Sequence, residues 1–399
     1  MVIGAGFCGL GVGASLRARG IERFAILEQG GQAGHFWTQT YDRLHLHSAF
    51  HDMPQDGGLR RDYPIFLSRD ELLDYFARYA QLHQLGPHLR FDTRVLRVRR
   101  IDPAAHAGCE WELETSRGAL HARSLAVATA MNRVPKEPAL PGREAFRGRV
   151  LHSAAYRNPK PYAGRSVLVV GSGNSAAEIS LDLAEGGARS VAMWVRAPRH
   201  FIPIRRMEVL FRVFRLLGAL SEKQASATHR ITWGTPEFEK TIAARDKLTG
   251  LLSVDLSRYG IRRPERGPMA ELYHAGRIPT FDQGAIGKIR SGAIRVVDGN
   301  RRPLEAFTED GVRFGDGAER FDDVVLATGF EPHLEEFLDA PGLLGPVLWW
   351  KSYPLTDGRS RSRVHPSIFF PGFDRTPLGG QSLGRWGFEV GERIAEALR

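Results

Sequence analysis

Two stretches of the chain carry one pattern: a short apolar run, a glycine-rich turn, and a segment whose apolar positions recur at helical spacing. The first is MVIGAGFCGL, continued by Leu10–Ala18 as a helix and by Ala25, Ile26 and Leu27 as a strand. The second is the β-branched strand RSVLVV, Arg165–Val170, which runs into GSGNSA, then into Ala176–Ala184 at helical spacing and on to the strand VAMWV. Strand, turn, helix and strand make the repeating unit of a parallel sheet. The pattern therefore predicts an α/β fold with two dinucleotide-binding, Rossmann-like units. Elsewhere, Ser68 and Glu71 have capping-box spacing and open a helix with Leu72, Tyr75, Phe76 and Tyr79 on one face. Ser124–Ala128 and Leu326–Phe330 read as further strands, the latter returning the chain to the first unit, and Gln381–Leu398 reads as a final helix.

The glycines give the pattern its chemistry. A turn that cradles a pyrophosphate needs residues without a Cβ, and it needs a helix whose positive end faces the charge. Gly4, Gly6 and Gly9 meet that need in the first unit, and Gly171, Gly173 and Ala176 in the second. Glu28 ends the second strand 19 residues after Gly9, where a carboxylate accepts hydrogen bonds from ribose hydroxyls. In the second unit, Arg196 stands 20 residues after Ala176 with Arg199 close behind, so the corresponding place offers cationic donors suited to a 2′-phosphate. FAD at the first site and NADPH, in preference to NADH, at the second would let a flavin accept a hydride and pass the electrons on. Only Met1, Val2 and Ile3 precede Gly4, too few for a full strand, which raises a natural start upstream of Met1 as an alternative.

Composition narrows the destination of those electrons. The 399 residues are 42% hydrophobic and 25% charged, enough for a large core and more than one domain. Cys8 and Cys109 cannot build a disulfide framework, and no C-x-x-C is present for a dithiol relay. Oxygen is then the expected acceptor. With no secretory or bilayer-spanning run, a reducing cytoplasm is the expected setting. The net charge is +10, but only seven of the 55 basic residues are lysine and the arginines are dispersed without an aromatic-laced block. That favours small anionic ligands over nucleic acid. The run 201–220 mixes arginine with an apolar face; contact with a membrane is the lesser reading, and a helix over the substrate channel the preferred one.

Between the two turns lies PGREAFRGRVLHSAAY, in which Phe146, Gly148, His152 and Tyr156 are spaced FxGxxxHxxxY. This resembles the identifying sequence of flavin-containing monooxygenases, whose Baeyer–Villiger relatives carry Trp at the last of these positions. WTQTYDRLHLHSAF, PIFLSRDELLDYFARYA, VRAPRHFIPIRR, YGIRRPERGPMAEL, RIPTFDQGAIGKIRSGAIRVV and LATGF look like the YUCCA group of indole-3-pyruvate monooxygenases and its bacterial relatives. The resemblance runs from Gly4 to about Ala397. It implies an NADPH domain inserted into an FAD domain, divided here as 1–155 (FAD), 156–290 (NADPH, with channel helices) and 291–399 (FAD). It also implies NADPH- and O2-dependent oxygenation through a C4a-hydroperoxyflavin. A 2-oxo acid of the indole-3-pyruvate type is the first substrate. N- or S-oxygenation, or Baeyer–Villiger oxidation, is the second reading, and an NADPH oxidase or redox-responsive flavoprotein the third.

The resemblance also distributes roles. Trp37 joins the cofactor contacts, and Gln381 does so at the start of the final helix, whose positive end is expected to face the flavin pyrimidine. Gly329 permits close backbone approach. Asn174 and Ser175 are candidates to orient nicotinamide and ribose, or they simply cap their helix. His47 falls where related enzymes place an asparagine or histidine beside the oxygenated flavin; a packed histidine is the plainer alternative. His45, His47, His51 and Asp52 could also hold a metal, which the flavin motifs make redundant. His152 and Tyr156 are assigned to coupling between the two domains. One departure stands out: the family's ATG turn is ATAMN here, so Ala130 would be strained if the turn needs a positive φ.

Overall fold

Ser166–Val170 is buried at every position, the behaviour of a strand covered on both faces. In the computed structural model, which describes residues 1–47, 53–216, 234–347, 350–373 and 383–398, this strand is the centre of a five-stranded parallel sheet. Ser190–Val195 and Asp323–Leu326 flank it, with Ile294–Asp298 and Arg149–His152 at the edges. A second parallel sheet of five has Val2–Ile3 at its centre. Ile26–Leu27 and Leu125–Val127 flank that strand, and Leu89–Arg90 and Ile368–Phe369 form the edges. The sheet around Val2–Ile3 gains its last strand, Ile368–Phe369, only after the sheet around Ser166–Val170 is complete, so the second unit is inserted into the first.

The insertion is larger than the sequence suggests. The strand at Leu326 pairs with Ser166–Val170 and so belongs to the sheet of the second unit, as do Arg149–His152 and Ile294–Asp298. The expected boundaries at 155 and 290 and the placing of Leu326–Phe330 in the first unit are thereby corrected. The physical reason is that each glycine turn needs its own neighbouring strand. Leu125–Val127 supplies it to the first turn and Asp323–Leu326 to the second. The return to the first unit follows Gly329, where Phe330–Glu331 pairs with Val134–Pro135 and Leu338–Asp339 joins Val95–Arg100.

Two helices lock the first turn in place. Phe7–Ala18 packs closely on Leu383–Ala397. A Cβ on Gly387 would lie 2.0 Å from the Cys8 carbonyl oxygen and one on Gly11 2.4 Å from that of Gly384. Glycine is required at this crossing because backbone meets backbone. The helix Arg69–Leu82 has the expected capping box at Ser68 and Glu71 and buries Leu72, Tyr75, Phe76 and Tyr79. Of the run 201–220, Phe201–Pro203 forms a short strand paired with Thr280–Asp282 and Ile204–Leu216 a helix, while 217–220 lie outside the described residues, as does Gln381. Met207 and Phe211 of that helix pack with Ile65, Phe66 and Phe281, so it spans both units. No helix among the described residues is long and apolar enough to cross a membrane.

Candidate active site

The two glycine turns repeat one construction. Gly4 has φ +101°, and a Cβ on it would come within 2.7 Å of the Ala128 carbonyl oxygen; Gly171 has φ +144° and stands in the same relation to Ala327 at 2.4 Å. These glycines let the turn strand and its neighbour approach. Gly9 would drive a Cβ to 1.8 Å from the Gly4 carbonyl oxygen, which makes it the close-packing glycine of the turn. Ala176, its counterpart, is fully buried. At the middle glycine of each turn the surroundings are open instead: a Cβ on Gly6 or Gly173 meets nothing within 4 Å among the described residues. Each of these two glycines is the N-cap of its helix and no side chain caps it, so backbone N–H groups and the positive helix end face open space.

Each turn has its own polar surroundings. In the first, Glu28 is buried at the strand end and accepts from the backbone N–H of Ala5 at 3.0 Å and of Gly30 at 3.2 Å. Gly34 donates to the Ala5 carbonyl, which brings the short helix His35–Thr38, with half-buried Trp37, beside the turn. The Thr129 hydroxyl is buried without a partner. In the second, the Arg196 side chain is exposed while its carbonyl is pinned by Asn300 at 2.7 Å and Arg262 at 3.2 Å. Arg199 reaches further in. Its Nε donates to Ser172 Oγ in the turn at 3.3 Å and its Nη1 to the Ile278 carbonyl at 2.9 Å. Burial, with Arg277 second, holds its guanidinium down to about 10, as expected of a cation kept from water.

The units meet along one face of the helix Asn174–Glu185. Tyr41 donates to Glu178 Oε2, Gln283 Nε2 donates to Glu178 Oε1 at 2.6 Å, and Tyr156 donates to Asp182 at 2.8 Å. His47 Nε2 lies 3.3 Å from Glu178 Oε1, and the Phe281 ring stacks beside the imidazole at 5.9 Å. Asn174 Oδ1 accepts from the Phe281 N–H at 2.7 Å, and Thr280 Oγ1 donates to the Ser172 carbonyl at 2.7 Å. The Asn174 amide thus holds the Phe281 segment, which in turn flanks His47. Ser175 interacts with the Tyr41 hydroxyl. His47 Nδ1 is buried with no partner.

The pyridine nucleotide-disulphide oxidoreductase family matches residues 1–202. The indole-3-pyruvate monooxygenase YUCCA4 of Oryza sativa subsp. japonica is 35% identical over 408 residues, covering 96% of this chain and 84% of that protein. The chain belongs to the flavin-containing monooxygenase family. The probable indole-3-pyruvate monooxygenase YUCCA1 of Arabidopsis thaliana is 31% identical, with 95% and 86% covered. Among solved structures, the flavin-containing monooxygenase from Stenotrophomonas maltophilia is 22% identical with a TM-score of 0.65, covering 100% of this chain and 98% of that one. Oxidized steroid monooxygenase bound to NADP is 19% identical with a TM-score of 0.70, covering 100% and 84%. This flavin-containing monooxygenase is accordingly an oxidoreductase that uses FAD and NADPH. Its two cysteines are free.

The fold of the monooxygenase separates the predicted residues into three groups. Gly4, Gly6, Gly9, Glu28 and Trp37 gather at the first turn, and Gly171, Gly173, Ser175, Ala176 and Arg196 at the second. His47 and Asn174 meet at the joint. His152 is neutral and committed: Nε2 donates to the Gly329 carbonyl at 2.9 Å, Nδ1 accepts from the Ala154 N–H at 3.1 Å, and burial lowers its affinity for a proton. His45 turns its Nδ1 to the Arg43 carbonyl at 2.8 Å, away from the partner of His47, while His51 and Asp52 lie outside the described residues. The sequence reading missed Glu178, Tyr41 and Gln283 as parts of the site, and gave Arg196 the place that Arg199 takes against the turn. A signal was present for Glu178 and Asp182: four residues apart on a helix whose other middle positions are Ile, Ser and Leu, they share one face. Such a pair ordinarily faces solvent.

Proposed function

We propose that this monooxygenase oxygenates a small 2-oxo acid, in the first place indole-3-pyruvate or a close analogue, with loss of the carboxyl carbon. One 2-oxo acid, O2, NADPH and a proton give the shortened carboxylic acid, CO2, water and NADP+. The observation that carries this reading is the 35% identity, over 96% of the chain, to an indole-3-pyruvate monooxygenase. The joint between two open glycine turns supports it.

The residues fit both cofactors. The open cradle at Gly6, the N–H groups at the start of Phe7–Ala18, Glu28 and the unpartnered Thr129 hydroxyl would hold FAD, with Trp37 alongside. The matching cradle at Gly173, with Ser175, Arg196 and Arg199, would hold NADPH. When bound, NADPH supplies the hydride, and the flavin supplies the carrier on which oxygen is activated. The protein contributes position and dryness. His47 offers a hydrogen-bonding nitrogen at the joint, Asn174 and Phe281 fix that ring, and the helix Ile204–Leu216 covers the segment that carries Phe281. His152, by tying Arg149–His152 to Gly329, couples the two units at their crossing.

Purified protein incubated with NADPH and a panel comprising indole-3-pyruvate, phenylpyruvate, a tertiary amine, a thioether and a cyclic ketone tests the assignment. The expected result is carboxylic acid and CO2 from the 2-oxo acids, near one per NADPH, with little peroxide. Oxygenated amine, thioether or ketone as the only product would replace the substrate class. Stoichiometric peroxide with every compound would remove the oxygenase assignment.

A further inference from the structure

The cluster beneath His47 has one proton whose place decides what the imidazole can do. Glu178 is 1% exposed, and burial, with Asp182 adding, pushes its carboxyl up to about 8 against the opposing influence of Tyr41 and Arg43. Burial, with His45 second, holds His47 down to about 4, so its ring is neutral and carries a single N–H. Tyr41 donates to Oε2 and Gln283 to Oε1, and Oε1 is also the atom that lies 3.3 Å from His47 Nε2. At this distance a protonated carboxyl is placed to donate to Nε2, which leaves the ring hydrogen on Nδ1. When it is ionised, Nε2–H donates to Oε1 and Nδ1 is left as a bare acceptor. Among the described residues Nδ1 is the buried ring atom without a partner, the one left for a bound group.

We propose that Glu178 is a positioning residue that selects the tautomer of His47, so that Nδ1 is a donor while Glu178 holds its proton and an acceptor once it does not. This rests on the reading of His47 as a neighbour of the flavin. An N–H donor is what a developing negative oxygen requires; an acceptor in its place repels it. The titratable groups facing the pair are Tyr41, Arg43 and His45 from the Thr40–His47 segment and Asp182 from the helix of Glu178 itself. From the Thr280–Gln283 segment, Gln283 is neutral, and Asp282 turns its carboxylate to the Ile286 N–H at 2.9 Å. Tyr41 is held far above its ordinary value by burial and then by Glu178, so it stays protonated.

The test is nitrogen NMR of ring-labelled histidine in the FAD-loaded enzyme between pH 6.5 and 9.5, with the His47 signals assigned by their loss in His47→Asn. Wild type is expected to pass from Nδ1–H to Nε2–H with a midpoint near pH 8. Glu178→Gln, whose amide donates to Nε2 once the Gln283 amide turns its oxygen toward it, should keep Nδ1–H throughout. Peroxide released per NADPH should rise several-fold from pH 7 to 9 in wild type and stay flat in Glu178→Gln. If that variant does not fold, Glu178→Asp, which keeps the acid but withdraws it from Nε2, should abolish the transition near pH 8. An unchanging tautomer in wild type, or the same transition in Glu178→Gln, overturns the proposal. A tautomer transition with a flat peroxide yield upholds the pairing and overturns the placing of His47 beside the flavin.

Discussion

The two dinucleotide turns of this monooxygenase are built alike and finished differently. In both, a glycine with positive φ rests on the carbonyl of an alanine, Ala128 or Ala327, that ends the neighbouring strand. In both, that alanine is followed by a threonine and then by a residue with positive φ. In the second unit this residue is Gly329, at φ +87°, and its carbonyl is tied down by His152 and by the Lys136 N–H. In the first it is Ala130, at φ +63°, next to the partnerless Thr129 hydroxyl. A left-handed alanine costs roughly 1–2 kcal/mol that glycine does not incur. The strain sits in the unit assigned to FAD, at the turn nearest its cradle, whereas the unit assigned to NADPH is relaxed and cross-linked. Equivalent backbones thus need not have equivalent side chains: each unit keeps the glycines that close the turn and spends its other positions on its own ligand.

The largest expected effect comes from ignoring the difference between closing and cradling glycines. Gly171→Ala forces an unfavourable φ and a Cβ into the Ala327 carbonyl, so the fold should lose about 3 kcal/mol or more, read as a fall in the denaturant midpoint. Gly6→Ala and Gly173→Ala meet open space and should leave that midpoint within about 1 kcal/mol of wild type. Their ligands should separate them. Gly6→Ala should yield colourless protein, and Gly173→Ala yellow protein that NADPH reduces poorly. Loss of flavin from both variants alike would show that the units do not divide the cofactors in this way.

Next in size is the charge at the second unit. Arg196→Ala should lower kcat/KM for NADPH by roughly ten- to hundredfold, the worth of about 1.5–3 kcal/mol in charge-assisted contact, and leave NADH nearly unaffected. Arg199→Ala should weaken both nucleotides, because Arg199 lies against the turn at Ser172 rather than at the strand end. An equal loss for both nucleotides in Arg196→Ala would make that arginine a surface residue.

The smallest effect lies in the first unit. Ala130→Gly should raise stability by about 1 kcal/mol, the left-handed penalty less the added flexibility of the unfolded chain. Equilibrium denaturation of the apoprotein measures it. No gain, or a loss, would show that the Ala130 backbone is not strained.

The same comparison explains what could be read from the sequence. Glycine spacing and apolar periodicity depend on neighbours in the chain, so both turns, both following helices and the capping box at Ser68 were legible; the insertion of one unit in the other and the strain at Ala130 came from the family resemblance. The unit boundaries were not legible, because the strand before Thr328 looks the same whether it joins one parallel sheet or the other; only pairing across 156 residues, Leu168 with Val324 among them, decides it. The joint was half legible. His47 and Asn174 stood in recognisable motifs, but Glu178 acquires its meaning from Tyr41, 137 residues away, and from burial that a carboxylate seldom tolerates.

The central claim is that electrons entering at the second turn are spent on oxygen at the joint, beside His47, and leave as product. The most direct measurement is the parallel balance of NADPH consumed, carboxylic acid formed and peroxide released by wild type and His47→Ala with indole-3-pyruvate. The account predicts near one acid per NADPH in wild type. In the variant it predicts a similar initial rate of flavin reduction with most of the NADPH diverted to peroxide, a ten- to hundredfold shift in partition for a lost bond worth about 1.5–3 kcal/mol. Equal acid and equal peroxide in the two proteins would contradict it, and would assign His47 to packing between the units.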